Sequence, residues 1–164
     1  MKKIKIILRK ANTTDLKFLF IIYNDAVKKK IFINNKIIDF KSHKKWFNQQ
    51  AKSRKSLIFI AINRFTMRKV GYIRFNMINF KTWEISIANS HNFQGKGYGT
   101  LMLKSAIKKF KLKRKVKLIA IVKKNNKRSQ KCFLKNSFKK KISRKFFLEK
   151  KISLYRFNYF ELNK

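Results

Sequence analysis

Three of the four glycines in this chain fall within five residues, at Gly95, Gly97 and Gly99. Ordinary usage over this length would give about 11 glycines and about 8 prolines; here there are 4 and 0. Where glycine is this scarce, the remaining ones mark places where no Cβ fits or where φ must be positive. The cluster lies between an apolar, β-branched run, WEISIA at 83–88, and a stretch in which Leu101, Leu103, Ala106, Ile107 and Phe110 recur at helical spacing. The spacing predicts a strand, a glycine loop and a helix running to about 111, in that order. A helix start leaves about four backbone N–H groups without partners and carries about half a positive charge. Gln94-Gly95-Lys96-Gly97-Tyr98-Gly99-Thr100 therefore reads as an anion cradle suited to a pyrophosphate. The plainer alternative is a glycine-rich turn. The loop lacks the Lys-Ser/Thr ending of a P-loop, and its spacing is not G-x-G-x-x-G.

The flanking segments predict the rest of the layout. Residues 4–9 read as a first strand. Asn12, Thr13 and Thr14 offer caps for a helix over 14–28 with Leu16, Leu19, Phe20 and Tyr23 on one side. Asp39 or Ser42 caps a second helix carrying His43, Trp46, Phe47 and Gln50. Strands follow at 57–62, 70–78, 83–88 and 116–122, a further helix at 126–136, and an alternating apolar–cationic segment at 138–162 that reads as a two-stranded hairpin. The order is β-α-α-β-β-β-α-β-α-β-β, without repeats or linkers. It predicts one α/β (α+β) domain over 1–164.

Charge is the second constraint. Forty-five Lys and Arg face six Asp and Glu, a net +39, yet 45% of residues are hydrophobic and 17 are Phe. That apolar content supports a core and argues against disorder. Inflated Lys, Ile, Asn and Phe share A/T-rich codons, so the charge has two candidate origins, a base-biased genome or a polyanionic partner. Either way the field draws in anionic ligands. A basic nucleic-acid-binding module would explain the charge but not the glycines; its mark would be steeply salt-dependent binding. No run reaches about 18 apolar residues, so no membrane span is expected. One cysteine, Cys132, excludes an internal disulfide and a zinc cluster. With no small-residue cleavage site after MKKIKIILRK, a cytoplasmic location and no metal are the expectations.

Gln94-x-x-Gly97-x-Gly99, on the loop after the fourth strand, resembles the Q/R-x-x-G-x-G/A motif of the GNAT (Gcn5-related) N-acetyltransferases. Downstream, Asn126-x-x-Ser129-x-x-x-Phe133-x-Lys135-x-x-Phe138 is similar to that family's N-x-x-A/S-x-x-x-Y/F-x-K-x-G-F, and VGYIRF with Gly71 is similar to its third strand. Ser137 departs from the usual Gly. The resemblance spans nearly the whole chain. It implies a mixed, mostly antiparallel sheet flanked by helices and splayed between strands 4 and 5, with acetyl-CoA as cosubstrate. It also implies pantetheine pairing along Ile87, Ala88 and Asn89, a pyrophosphate on the amides of Gln94, Gly95, Lys96, Gly97, Tyr98, Gly99 and Thr100, and cofactor contacts from Asn126 and Ser129.

Amine acetylation needs a base, because an ammonium has no lone pair. Glu84, on the fourth strand, and His43, with a pKa suited to the task, are the candidates; each also has a plain structural reading. Many GNATs place a tyrosine general acid where Phe133 stands. Phe133 cannot donate, which leaves unaided thiolate departure, a water held by Ser129, or a slow enzyme. The segment Tyr23-Asn24-Asp25-Ala26-Val27, with His43, Trp46 and Phe47, resembles GNATs that acetylate the 4-amino group of a nucleotide-linked sugar in pseudaminic and legionaminic acid synthesis. Tyr23, Asn24, His43, Trp46 and Trp83 would then hold the acceptor. The same segment is similar to phosphinothricin-type acetyltransferases, and acetylation of ribosomal-protein N-termini is a third possibility. A monomer or a homodimer is compatible with all of these.

Overall fold

A computed structural model of the protein describes residues 4–31, 36–111, 115–142 and 157–163. Its elements follow the predicted order: β1 (Ile6–Lys10), α1 (Leu16–Lys28), α2 (Phe40–Lys52), β2 (Ser56–Asn63), β3 (Lys69–Asn79), β4 (Thr82–Asn89), α3 (Tyr98–Lys111), β5 (Lys117–Lys123), α4 (Lys127–Leu134), β6 (Lys139–Lys141) and β7 (Phe157–Leu162). The strands form one sheet in the order β1-β2-β3-β4-β5-β7-β6. Every neighbouring pair is antiparallel except β4 and β5, whose parallel pairing needs the α3 crossover.

That parallel contact is short. Thr82, Trp83 and Glu84 pair with Lys117, Leu118 and Ile119, and there the ladder stops. Beyond it β4 stays with β3 as far as Asn89, while β5 stays with β7 as far as Lys123. The two halves of the sheet part from Ile85 onward, which is the splay that the resemblance implies.

Period-two alternation sorts side chains onto two faces. Phe59, Ile73, Phe75, Trp83, Ile85 and Leu118 pack beneath α3 and α4, where Phe75 stacks on Phe110 with centroids 4.1 Å apart. On the other face Ile58, Ile60, Tyr72 and Ala88 meet Leu19, Ile22 and Phe47 of α1 and α2. Gly71 lets β3 pass close to its neighbours: a Cβ there would lie 2.2 Å from the Ala88 carbonyl oxygen.

The ends of the helices refine the expected boundaries. The first helix opens with a 3-10 turn, Thr13–Asp15, capped by Asn12, before α1 proper. Of the two candidate caps for α2, Asp39 serves: its carboxylate accepts from the Ser42 amide at 2.8 Å and the Ser42 hydroxyl at 2.6 Å. The C-terminal segment pairs as expected through β6 and β7, and residues 143–156 of it lie outside the described residues. Asp15, fully buried, is the polar anchor beneath β1. It accepts from both Arg9 terminal nitrogens at 2.6 and 2.8 Å and from the Asn12 amide at 3.0 Å, and it pairs with Lys69 at 2.7 Å.

Candidate active site

The glycine loop follows the splayed end of β4. After β4, a 3-10 turn over His91–Phe93 leads to Gln94, whose backbone is extended, and α3 begins at Tyr98. Gly95 and Gly97 have φ of 76° and 81°, the left-handed region that favours glycine. A Cβ at either would meet nothing within 4 Å, so these glycines serve conformation, and the surface above them is open. Gly99 is different: its Cβ would sit 3.4 Å from the Asn89 Oδ1 atom.

Among the described residues, no backbone carbonyl accepts from the amides of 95–100; the first such bond is Leu101 N–H to Gly97 O at 3.4 Å. Orphan donors at an open helix start are what a diphosphate requires. Other members of the loop brace it. Gln94 Nε2 donates to Asn89 O at 3.2 Å, and the Tyr98 hydroxyl accepts from Asn63 Nδ2 at 2.8 Å while its ring meets Phe93 edge-on. Thr100 O accepts from Asn136 Nδ2 at 3.2 Å, tying α3 to the end of α4. Lys96 is exposed.

Next to the splay lies a cavity of about 150 Å³. Its walls come from five directions: Leu19 and Tyr23 of α1, His43 and Trp46 of α2, Tyr72 and Arg74 of β3, residues 84–87 of β4, and Ile121, Val122, Asn126, Ser129 and Phe133 beyond the splay. His43 is 1% exposed, and neither ring nitrogen has a hydrogen-bond partner among the described residues. Aromatic rings surround it: Trp46 at 5.2 Å, Phe20 at 5.6 Å and Tyr23 at 6.4 Å. That burial disfavours the imidazolium and lowers its pKa below the ordinary histidine value, which favours the neutral ring and weakens it as a proton acceptor.

Asn126 caps α4 by accepting from the Ser129 amide at 3.1 Å, which fixes Ser129 on the cavity side. Phe133, one turn on, is 2% exposed and packs against Phe138 and Phe160. Cys132 faces the core instead; burial pushes its thiol up to about 11, which leaves it unreactive.

Of the residues singled out from sequence, Tyr23, His43, Trp46, Glu84, Ile87, Asn126, Ser129 and Phe133 meet at this cavity. Asn89 and the loop residues 94–100 lie outside it, and so do three others. Trp83 lies on the opposite face of β4, buried in the main core with its ring 5.2 Å from Phe110. Its neighbour Glu84 lines the cavity, and adjacent strand residues point opposite ways. Asn24 is engaged with the backbone, its side chain bonding both Ile38 O at 2.9 Å and Ile38 N at 3.2 Å. Ala88 packs among Leu16, Leu19 and Tyr72. Tyr72 and Arg74 are among the cavity residues not anticipated. The available signal was their alternation with the apolar core positions Ile73 and Phe75.

The sequence matches the acetyltransferase (GNAT) domain model over residues 5–139. No functionally curated protein matches it. The fold is similar to that of a domain from Methanocaldococcus jannaschii, with TM-score 0.80 and 24% identity over 99% of this chain and 100% of that one. It is also similar to spermidine N-acetyltransferase from Vibrio cholerae, solved with CoA and spermine (TM-score 0.77, 17% identity, 95% and 92% covered). A third similar structure is the Campylobacter jejuni N-acetyltransferase PseH with acetyl coenzyme A (TM-score 0.70, 21% identity, 98% and 99% covered). An open helix start beside a splayed, parallel-paired strand and a family model covering most of the chain lead to one conclusion: this protein belongs to the GNAT acetyltransferases and is an acetyl-CoA-dependent acyltransferase.

Proposed function

We propose that the protein acetylates a primary amine held in the α1/α2/β3/β4 cavity, and that the acceptor is a nucleotide-linked 4-amino sugar. The observation that carries this reading is the junction of that cavity with the β4–β5 splay, where Glu84, the last residue of β4 paired with β5, and the unpartnered His43 face one space.

Acetyl-CoA, when bound, supplies an activated acyl thioester. The amides of 95–100 hold its diphosphate, and the edge of β4 from Ile85 to Asn89, free of β5, takes the pantetheine arm. Glu84 removes the ammonium proton so that the nitrogen lone pair is available. Ser129, one turn before Phe133 and lining the cavity, would hold a water as the proton source that Phe133 cannot be.

Glu84→Gln should lower kcat at pH 7 by about 10²–10⁴-fold, the usual worth of a general base. The deficit should shrink at high pH, where the amine is already free. A deficit that stays constant with pH would make Glu84 structural. His43→Gln should then leave kcat within about tenfold of wild type; the full loss in this variant would move the base to His43.

The acceptor class follows from what lines the cavity. Tyr23, Trp46 and Tyr72 offer flat faces for a sugar ring, and Glu84 is the only carboxylate among the described lining residues. A polyamine needs several carboxylates, and a surface of +39 repels polycations and attracts a nucleotide diphosphate. We expect kcat/KM for a UDP-linked 4-amino-4,6-dideoxy sugar to exceed that for spermidine, a free amino acid or an alanyl peptide by at least tenfold. Preference for any of the other three would replace the sugar reading and leave the acetyltransferase assignment in place.

A further inference from the structure

Arg74 stands on β3 with its side chain on the α1/α2 face, between Tyr72 and Asn76, and lines the cavity. Its guanidinium carbon lies 5.5 Å from the centre of the Trp46 ring. The Nε atom is buried and has no hydrogen-bond partner, and none of the three ion pairs among the described residues involves Arg74. Leaving a buried charged donor unpaired is costly, so native structures do it rarely and at sites where something else completes the bond. His43, also unpartnered at both nitrogens, faces the same space. The charge of Arg74 reaches the two phenols that share the wall. Burial raises Tyr72 to about 12 and raises Tyr23 as well, and in both the Arg74 charge acts in the opposite direction.

The strand register gives the spacing. Arg74 pairs with Ser86 and Asn76 pairs with Glu84, so Arg74 and Glu84 are diagonal neighbours on one face. Diagonal positions in an antiparallel pair are about 7–8 Å apart. An acceptor whose amine reaches Glu84 therefore brings whatever lies a few bonds away under the guanidinium. A planar fork of donors matches an oxyanion better than any other group of that size.

We propose that Arg74 determines acceptor specificity by binding an oxyanion, phosphate or carboxylate, that the acceptor carries within a sugar ring's width of the amine. The proposal rests on the reading of this cavity as the acceptor site. It goes further by naming the group that the acceptor must bear and the residue that selects it.

The test is calorimetric titration of the protein saturated with CoA, so that the diphosphate loop is already filled, at about 0.15 M salt to suppress diffuse attraction to the basic surface. The probes are UDP, carrying phosphate, and L-methionine, carrying carboxylate, with uridine as the uncharged control. Arg74→Gln should weaken the anion that binds by at least tenfold while leaving uridine and CoA affinities within twofold. Arg74→Lys, which keeps the charge without the fork, should fall between, and it serves also as the folding control. Loss confined to UDP assigns phosphate, and loss confined to L-methionine assigns carboxylate. The proposal is overturned if wild type binds neither probe, or if Arg74→Gln binds both as wild type does. If an anion binds through Arg74 but no nucleotide-linked amino sugar is acetylated, the sugar reading fails and this inference stands.

Discussion

Gly97→Glu should abolish coenzyme A binding and leave the fold intact. The backbone there has a φ of 81°, and a residue with a Cβ pays about 1–2 kcal/mol to hold that conformation. The larger effect is electrostatic. A carboxylate would project from the same turn whose orphan amides are to receive a diphosphate, adding repulsion where attraction is needed. Since no atom lies within 4 Å of the added Cβ, the core is not disturbed. The expected result is a Kd raised at least 100-fold, or about 2.7 kcal/mol, with a melting temperature within a few degrees of wild type. CoA at about 100 times its Kd should stabilise the wild type by about 2.7 kcal/mol and the variant not at all. Gly97→Ala, which has the strain without the charge, should lie between them.

The second large effect is on stability. Asp15→Asn removes the buried charge that Arg9, Lys69 and the Asn12 amide share. Breaking a buried pair costs about 3–5 kcal/mol when the partner is stranded. Here Arg9 and Lys69 keep about a third of their side-chain surface in water, at 35% and 32%, and can rehydrate. The lower end, about 3 kcal/mol, is therefore expected, a fall of about 6–12 °C in Tm for a domain of this size. Burial alone would raise the Asp15 pKa, but the hydrogen bonds from Arg9 and Lys69 outweigh it and hold the carboxyl down at about 2. A carboxyl whose folded pKa lies below its unfolded value near 3.9 contributes stability that is complete above pH 3.9. That contribution is lost as pH falls from there through about 2. Denaturant melts of wild type should show this acid-side loss of about 2 kcal/mol, and the same window in Asp15→Asn should be flatter.

Much of this was readable from local chemistry. Glycine scarcity turned Gly95, Gly97 and Gly99 into a prediction about backbone angles, and two of the three have the positive φ it requires. Helical spacing located α1 to α4, because each has one apolar face and one polar face. The site was harder. Naming Trp83 and Glu84 together as site residues conflicted with strand alternation, and that rule applied strictly would have kept only one of them. Arg74 was one cation among 45, and nothing in its immediate sequence says that its partners would be absent. Asn24 entered as an acceptor contact only through the resemblance of its segment, and its backbone partner Ile38, 14 positions along the chain, carries no local signal of that pairing. In sequence Asp15 is one acid near the start of a predicted helix, with nothing to set it apart. Its burial depends on Lys69, which the sheet brings to it from 54 positions away, and no local pattern encodes that.

Amide resonances of the loop give the most direct check on the account. In a ¹⁵N-labelled sample titrated with CoA, the N–H groups of Gly95, Gly97 and Gly99 should show the largest shifts in the protein and become protected from hydrogen exchange. Saturable binding of CoA with these three signals unmoved, and with the main perturbations elsewhere, would contradict it.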